Sequence, residues 1–343
     1  MITVVVGDQF IPAAHYVEAL GDGLDVRTAT WAGAKGEQHA LQQVMEQDGP
    51  NGVPPPAELL AAVEPAEALC LHFAPVSAAL IAAAPKLRLI AVARSGLENV
   101  DVEAATAAGV GVVPAHGRNA GAVAELQLAL MLAEARDVAR ADASVKTGGW
   151  RKEFPGTRVE LAGRTVGMVG FGHVGRVFAQ RVAGFGCRLL AYDPYTPDAA
   201  LAASGVERAA DLDHVFADGD FVLVQARLTP ETSRFIGEAQ FRLMKPTAYF
   251  VNVSRSRLVD SSALYSALAA GRIAGAGLDV FDSEPLPADS PWRTLDNVTI
   301  TTHFGGDTED TNRTSTRLVA EAVAELATTG RVARAVNAAA LGW

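Results

Sequence analysis

Thr165-Val-Gly-Met-Val169 runs directly into Gly170-Phe-Gly-His-Val-Gly175 and on into Arg176-Val-Phe-Ala-Gln-Arg-Val182. The short apolar run reads as a strand, the glycines as a turn and the segment after them as a helix, so the glycine pattern stands where it has a physical use. The first glycine permits a tight turn, the second lets a pyrophosphate approach the backbone, and the third allows the helix to pack closely on the strand. The unsatisfied N–H groups at the helix start, from His173 and Val174 onward, then face the phosphates. The next strand, Arg188 to Tyr192, ends at Asp193. That is close to the spacing of about 20 residues at which a carboxylate takes the ribose hydroxyls of a dinucleotide. Such a carboxylate repels a 2′-phosphate, so the pattern predicts NAD rather than NADP.

Outward from this stretch the same alternation continues. Strands are predicted at Thr165 to Val169, Arg188 to Tyr192, Phe221 to Val224, Ala248 to Val253, Ala274 to Val280 and Val298 to Thr302, with helices between them. The first third alternates in the same way. Strands are expected at Ile2 to Val6, Val26 to Trp31, Ala68 to Phe73, Leu87 to Ala93 and Val110 to Val113, and helices at Pro12 to Leu20, Ser77 to Ala83 and Val102 to Ala108. Strands separated by helical segments imply crossovers and a parallel sheet covered on both faces. The fold class is therefore α/β, with two doubly wound parallel-sheet domains. Asn119 to Arg136 reads as a long helix that opens the second domain. The amphipathic stretch Asp310 to Thr328 has no strand after it and is expected to cross back to the first.

Composition narrows the function classes. The chain has 343 residues, with 29 Lys and Arg against 39 Asp and Glu and a net charge of −10. That balance argues against a general affinity for nucleic acid or anionic membrane. No run of about 20 uncharged apolar residues is present, and the segment Met1 to Val6 has no positive region before it. These features predict a soluble, cytoplasmic protein. Cys70 and Cys187 are too few for a disulfide framework and share no metal-ligand spacing. Both are expected to be buried small apolar residues, and no metal is expected.

Three polar residues lie just past predicted strand ends, where open parallel sheets collect ligands. Arg255 follows Tyr249-Phe-Val-Asn-Val-Ser254, Glu284 follows Gly277-Leu-Asp-Val-Phe281, and His303 follows Val298-Thr-Ile-Thr-Thr302. A guanidinium grips a carboxylate through two parallel bonds. A histidine carries a proton near neutral pH, and a neighbouring carboxylate orients it and favours its charged form. Beside a nicotinamide, this set suits hydride transfer between an alcohol and a ketone next to an acid group.

The chain resembles the D-isomer specific 2-hydroxyacid dehydrogenases, the family that includes D-3-phosphoglycerate dehydrogenase. The likeness runs through Asn99-Val-Asp101, Asn119-Ala-Gly-Ala-Val-Ala-Glu125, the glycine loop, Leu228-Thr-Pro-Glu-Thr232, Met244-Lys-Pro246, Val259-Asp260, Leu278-Asp-Val-Phe-Asp-Ser-Glu-Pro285 and Thr302-His-Phe-Gly-Gly306. It implies a flavodoxin-like substrate domain, residues 1–115 and 308–343, with a Rossmann NAD-binding domain, residues 116–307, inserted into it. It further implies that Arg255 binds the substrate carboxylate and carbonyl, that His303 is the acid/base and that Glu284 is its partner. By the same resemblance Gly170, Gly172, His173, Val174, Gly175, Asp193, Ala226, Arg227, Thr232, Val253, Ser254 and Asp279 line the cofactor. The backbone at Ser95, Gly96 and Leu97 reaches the substrate, a small 2-hydroxy or 2-keto acid. The helix from Gly121 to Leu132 resembles the segment this family uses for two-fold homodimers.

Some positions depart from the family pattern: Gln225 stands where His is frequent, Arg227 where Pro is frequent, Ser256-Arg257 where a Gly usually follows the Arg, and Thr302 where Pro usually precedes the His. Arg94, Arg227 and Arg257 are three cations near the expected cleft, and they raise the expectation that the substrate carries a second anionic group. Two other readings compete with the dehydrogenase. An NAD-sensing corepressor-like protein needs partner-binding tails, which neither end of this sequence supplies. An enzyme for a small inorganic or one-carbon anion is opposed, for formate, by the carboxylate at Glu284.

Overall fold

The computed structural model describes residues 1–343 apart from Pro155, Thr157 and the side chain of His39. The chain separates into two compact units, Met1–Arg118 with Thr308–Trp343, and Asn119–Asp307.

The first unit holds a five-stranded sheet of β1 (Ile2–Gly7), β2 (Asp25–Thr30), β3 (Ala68–Leu71), β4 (Leu89–Val92) and β5 (Gly111–Pro114). All pairings are parallel and the order is β2-β1-β3-β4-β5, the flavodoxin-like winding. Successive side chains of a strand point to opposite faces, and both faces are covered here. Val4, Val6, Leu69, Leu71, Ile90 and Val92 pack one way with Trp31 and Leu80. Val5, Cys70, Leu89 and Ala91 pack the other way with Tyr16 and with Val319, Val323 and Leu326 of the helix Glu309–Thr329. That helix starts where Thr308 accepts the Thr311 N–H and stops at Gly330, whose positive φ suits glycine. Two further helices, Lys35–Asp48 and Ala57–Val63, fill the stretch left unassigned by the sequence.

The second unit holds β6 (Thr165–Val169), β7 (Arg188–Tyr192), β8 (Glu207–Arg208), β9 (Phe221–Val224), β10 (Tyr249–Asn252), β11 (Gly275–Leu278) and β12 (Val298–Ile300). The order is β12-β11-β10-β9-β6-β7-β8, again all parallel, and it is the Rossmann winding. Two corrections concern its edges. The two-residue β8 was not expected, because Glu207 and Arg208 are exposed and carry no apolar pattern. β12 is shorter than Val298 to Thr302, because Thr301 turns its hydroxyl to Asp279 at 2.6 Å. The helix Ala120–Arg136 packs on β11, where a side chain at Gly277 would stand 2.8 Å from Leu130 Cβ.

Cys70 is buried as expected, but Cys187 is only half-buried, its thiol donating to the Leu161 carbonyl at 3.3 Å. Among the described residues no helix is long and apolar enough to cross a membrane.

Candidate active site

Every expected residue of the second unit lies past the carboxyl end of a strand, so one edge of the sheet gathers them. The glycine loop follows β6. Gly170 has φ +95°, and a Cβ there would stand 2.8 Å from the Ala226 nitrogen, so no other residue fits. A Cβ on Gly175 would come within 2.6 Å of Gln225 Oε1. One on Gly172 would meet nothing within 4 Å among the described residues. Gly170 is thus forced by neighbouring backbone and Gly175 is crowded by the side chains of Gln225 and Phe171, whereas the middle one leaves backbone open to a ligand. The helix His173–Val182 begins there with no side-chain cap, so the N–H groups of its first turn are available to an anion. A dinucleotide pyrophosphate fits this cradle.

Asp193 stands past β7 and is fixed on both oxygens. Oδ2 accepts the Phe171 N–H at 2.7 Å, and Oδ1 accepts those of Tyr195 at 2.8 Å and Thr196 at 3.0 Å. The carboxylate expected to hold the ribose therefore also ties the glycine loop to the end of β7. Past β9, Thr232 accepts the Thr229 N–H and donates to the Arg227 carbonyl, both at 2.7 Å, closing a turn around Arg227. Ala226 is half-buried and the Arg227 side chain is exposed.

Past β10, Val253 is buried, while Ser254 is half-buried and Arg255 exposed. Sequence reasoning missed the residue that orients them. Asn252 is buried; its Oδ1 accepts from the Ser254 N–H at 3.0 Å and hydroxyl at 2.9 Å, and its Nδ2 donates to the Arg255 carbonyl at 3.1 Å. A polar residue ending an otherwise apolar run was the available signal.

Past β11 and β12 the structure brings an imidazole and a carboxylate together. His303 Nδ1 lies 2.7 Å from Glu284 Oε2, and Glu284 Oε1 accepts the Phe281 N–H at 2.8 Å. His303 has φ +58°, an uncommon conformation for a residue with a side chain. Asp279, expected along the cofactor, is only 1% exposed and secures this turn. It accepts from the Thr301 hydroxyl at 2.6 Å and from the N–H groups of Phe304 at 3.2 Å and Gly305 at 2.9 Å. Arg255 is not bonded to the His303–Glu284 pair among the described residues; its Nη1 donates to the Ser254 carbonyl.

In the first unit Ser95, Gly96 and Leu97 follow β4, and the Ser95 hydroxyl donates to the Ala115 carbonyl at 3.3 Å. Arg94 is paired with Glu98 at 3.2 Å and Glu46 at 3.6 Å.

Comparison with known proteins agrees with this arrangement. Residues 128–305 match the family profile described as D-isomer specific 2-hydroxyacid dehydrogenase, NAD binding domain. The chain is 42% identical to D-3-phosphoglycerate dehydrogenase of Mycobacterium tuberculosis over 93% of its own length and 56% of the relative's. It is 36% identical to hydroxypyruvate reductase of Thermotoga maritima over 88% and 94%. Among solved structures it is similar to apo D-lactate dehydrogenase from Escherichia coli, with TM-score 0.68 and 25% identity over 98% and 100% of the two chains. The chain spans about half the length of the phosphoglycerate dehydrogenases it matches.

Proposed function

The chain belongs to the D-isomer specific 2-hydroxyacid dehydrogenases, and from that premise we propose that it interconverts a 2-keto acid and the corresponding D-2-hydroxy acid with NAD(H). The observation that carries this reading is the His303–Glu284 pair at the same sheet edge as the glycine loop. NAD, when bound, supplies the hydride acceptor and donor at its nicotinamide C4. Gly170, Gly172, His173, Val174, Gly175 and Asp193 hold its pyrophosphate and ribose, and Ala226, Arg227, Thr232, Val253 and Ser254 line the rest. Asp279 serves this edge through the turn it secures.

With Nδ1 directed at Glu284, Nε2 is the ring atom of His303 left to exchange a proton with the oxygen on carbon 2. In reduction the proton goes to the carbonyl oxygen as it becomes an alcohol; in oxidation it returns. The Arg255 guanidinium pairs with the substrate carboxylate, and Ser95, Gly96 and Leu97 keep the substrate-binding role that the family likeness gives them. NADH consumption against pyruvate, glyoxylate, 3-hydroxypyruvate and a phosphorylated 2-keto acid tests the proposal. Failure to reduce any 2-keto acid would sink it.

The proposed assembly is a homodimer. The helix Ala120–Arg136, which the sequence pointed to, spends Val123, Ala124, Leu130 and Met131 on the core of its own unit. The exposed apolar residues come just after it: Val138 and Val145 on the helix Val138–Lys146, which buries none of its residues, and then Trp150. Sedimentation of the wild type against Trp150→Ser and Val145→Asp tests that face, with a shift to monomer expected.

A further inference from the structure

The edge strand β8 buries neither of its two residues, so burial of apolar area does not account for it. What it does is place two side chains. Glu207 is in register with Leu190 and Arg208 with Ala191, and the Ala209 N–H extends the pairing by donating to the Ala191 carbonyl at 2.8 Å. Successive side chains of a strand leave on opposite faces, and these two serve different ends of β7. Glu207 accepts from Arg188, the first residue of β7, at 2.7 Å and 3.0 Å. Arg208 reaches past the last residue of β7, to the turn that carries Asp193.

That turn is held twice. Two of its N–H groups, of Tyr195 and Thr196, go to the Asp193 carboxylate, which also takes the Phe171 N–H. Two of its carbonyls go to Arg208: Nη1 donates to the Asp193 carbonyl at 2.9 Å and Nη2 to the Thr196 carbonyl, while Nε faces Asp198. All three nitrogens of one guanidinium are thus engaged. A guanidinium presents its N–H donors in a rigid planar fork, so one side chain can set the separation of two carbonyls, which an ammonium on a flexible stem cannot do. Thr196 is buried and its hydroxyl donates to the Phe171 carbonyl at 3.2 Å, so whatever fixes Thr196 also fixes the glycine loop. The helix after the turn adds no hold of this kind, since Asp198–Ala203 is entered from Pro197 with no side-chain cap.

Resting on the function proposed above, in which Asp193 takes the ribose, we propose that Arg208 is a positioning residue for the cofactor: it fixes the backbone from Asp193 to Thr196 so that the carboxylate stands ready for the ribose hydroxyls. Such preorganisation shows in affinity, because a turn that is ordered beforehand does not have to be ordered on binding. Arg208 takes no part in proton or hydride transfer. Its loss is therefore expected to weaken dinucleotide binding and to change turnover of the bound cofactor far less.

The measurement is the dissociation constant of NADH, by titration of its fluorescence on the protein without keto acid, and of ADP-ribose, which lacks the nicotinamide, by competition. Arg208→Ala should raise both by about 10-fold, the lower end of what a hydrogen bond to a charged group contributes. The KM for NADH should rise in step while kcat at saturating NADH holds, whereas a merely structural loss lowers kcat and the melting temperature together. Arg208→Lys keeps a positive charge beside Asp198 but cannot bridge the two carbonyls, so it should recover only a small part of the affinity; it carries the test should the alanine variant fail to fold. Asp198→Asn removes the ion pair and leaves the carbonyl clamp, and should bind NADH like the wild type. Asp193→Ala is the reference. If it weakens NADH while Arg208→Ala and Arg208→Lys do not, or if Asp198→Asn weakens NADH as much as Arg208→Ala, the inference is overturned alone. If Asp193→Ala itself leaves NADH binding unchanged, the ribose role proposed for Asp193 falls, and the inference with it.

Discussion

Nδ1 of His303 stands 2.7 Å from Oε2 of Glu284, and the other oxygen of that carboxylate is held by the Phe281 N–H at 2.8 Å. One oxygen fixed by backbone leaves the other aimed at the imidazole, so the pair has one orientation rather than several. The left-handed backbone at His303 shows that the surrounding structure imposes this placement, through Asp279 on Phe304 and Gly305. His303→Ala should lower keto-acid reduction by about 100 to 10,000-fold, the span of a positioned general acid. Glu284→Gln should lower kcat more than it raises KM, since the partner acts on the histidine and not on substrate binding. Near-normal kcat in His303→Ala rules out its acid/base role.

Asp193 ties the glycine loop to the end of β7, and holding the ribose is its proposed second task; its geometry says how a substitution divides the two. The carboxylate organises the N–H groups of Phe171, Tyr195 and Thr196 and presents negative charge past β7, where a 2′-phosphate would be repelled. NADH should give a higher kcat/KM than NADPH. Asp193→Ala should narrow that gap chiefly by weakening NADH, because the loop loses its tie as well as the ribose its acceptor. Equal use of both cofactors by the unmutated protein is the outcome that refutes the assignment.

What the sequence made legible follows from how local each feature is. The glycine loop is legible because turn, helix start and packing all depend on neighbours within a few residues, and Gly170 is forced and Gly175 crowded by contacts at the adjoining strand end. Arg255, Glu284 and His303 are legible as residues just past apolar runs. The turn-holding task of Asp279 is not, because its partners are set by the adjacency of β11 and β12; Asn252, whose partners Ser254 and Arg255 lie two and three residues on, was legible as a polar end to an apolar run and was passed over. The helix Lys35–Asp48 was missed because its Gln and Glu residues dilute the apolar period. The Asp8–His72 contact spans 64 positions and depends on β1 pairing with β3 rather than only with β2.

The buried His72 sets a pH dependence of stability whose sign is fixed by its depressed pKa. In the unfolded chain an imidazole takes up a proton as pH falls through about 6.5, whereas the folded chain resists because the ring is buried beside Arg94 and Arg118. The unfolded state then binds more protons, so stability is full above that pH and is lost as pH falls toward the folded value. Urea midpoints measured from pH 8 down to pH 5.5 should drop more steeply for the wild type than for His72→Gln. Parallel curves would mean that His72 is not neutral and buried in the native state.

The last prediction concerns a second anionic group on the substrate. Of the three arginines that raised it, Arg94 is answered by Glu98 and Glu46. Arg227 and Arg257 are exposed, and among the described residues neither guanidinium has a carboxylate partner. Their loops are joined: Arg234 N–H donates to the Arg257 carbonyl at 2.7 Å, a parallel bridge links Ile236 with Val259, and the Thr232 hydroxyl donates to the Arg227 carbonyl at 2.7 Å. The two cations therefore ride on connected loops past β9 and β10. Arginines bind phosphate and carboxylate through paired N–H donors, so a 2-keto acid with a distal phosphate or carboxylate should be reduced with higher kcat/KM than its uncharged counterpart of equal length. Added salt should erode that preference, because exposed charges are screened within about 8 to 10 Å at ordinary ionic strength. Arg227→Ala or Arg257→Ala should remove it, each lowering kcat/KM for the dianionic substrate more than for pyruvate. If pyruvate or glyoxylate is the better substrate, or if both variants keep the wild-type ranking, no second anion is bound there, and the two arginines serve the cofactor or the solvent-facing surface instead.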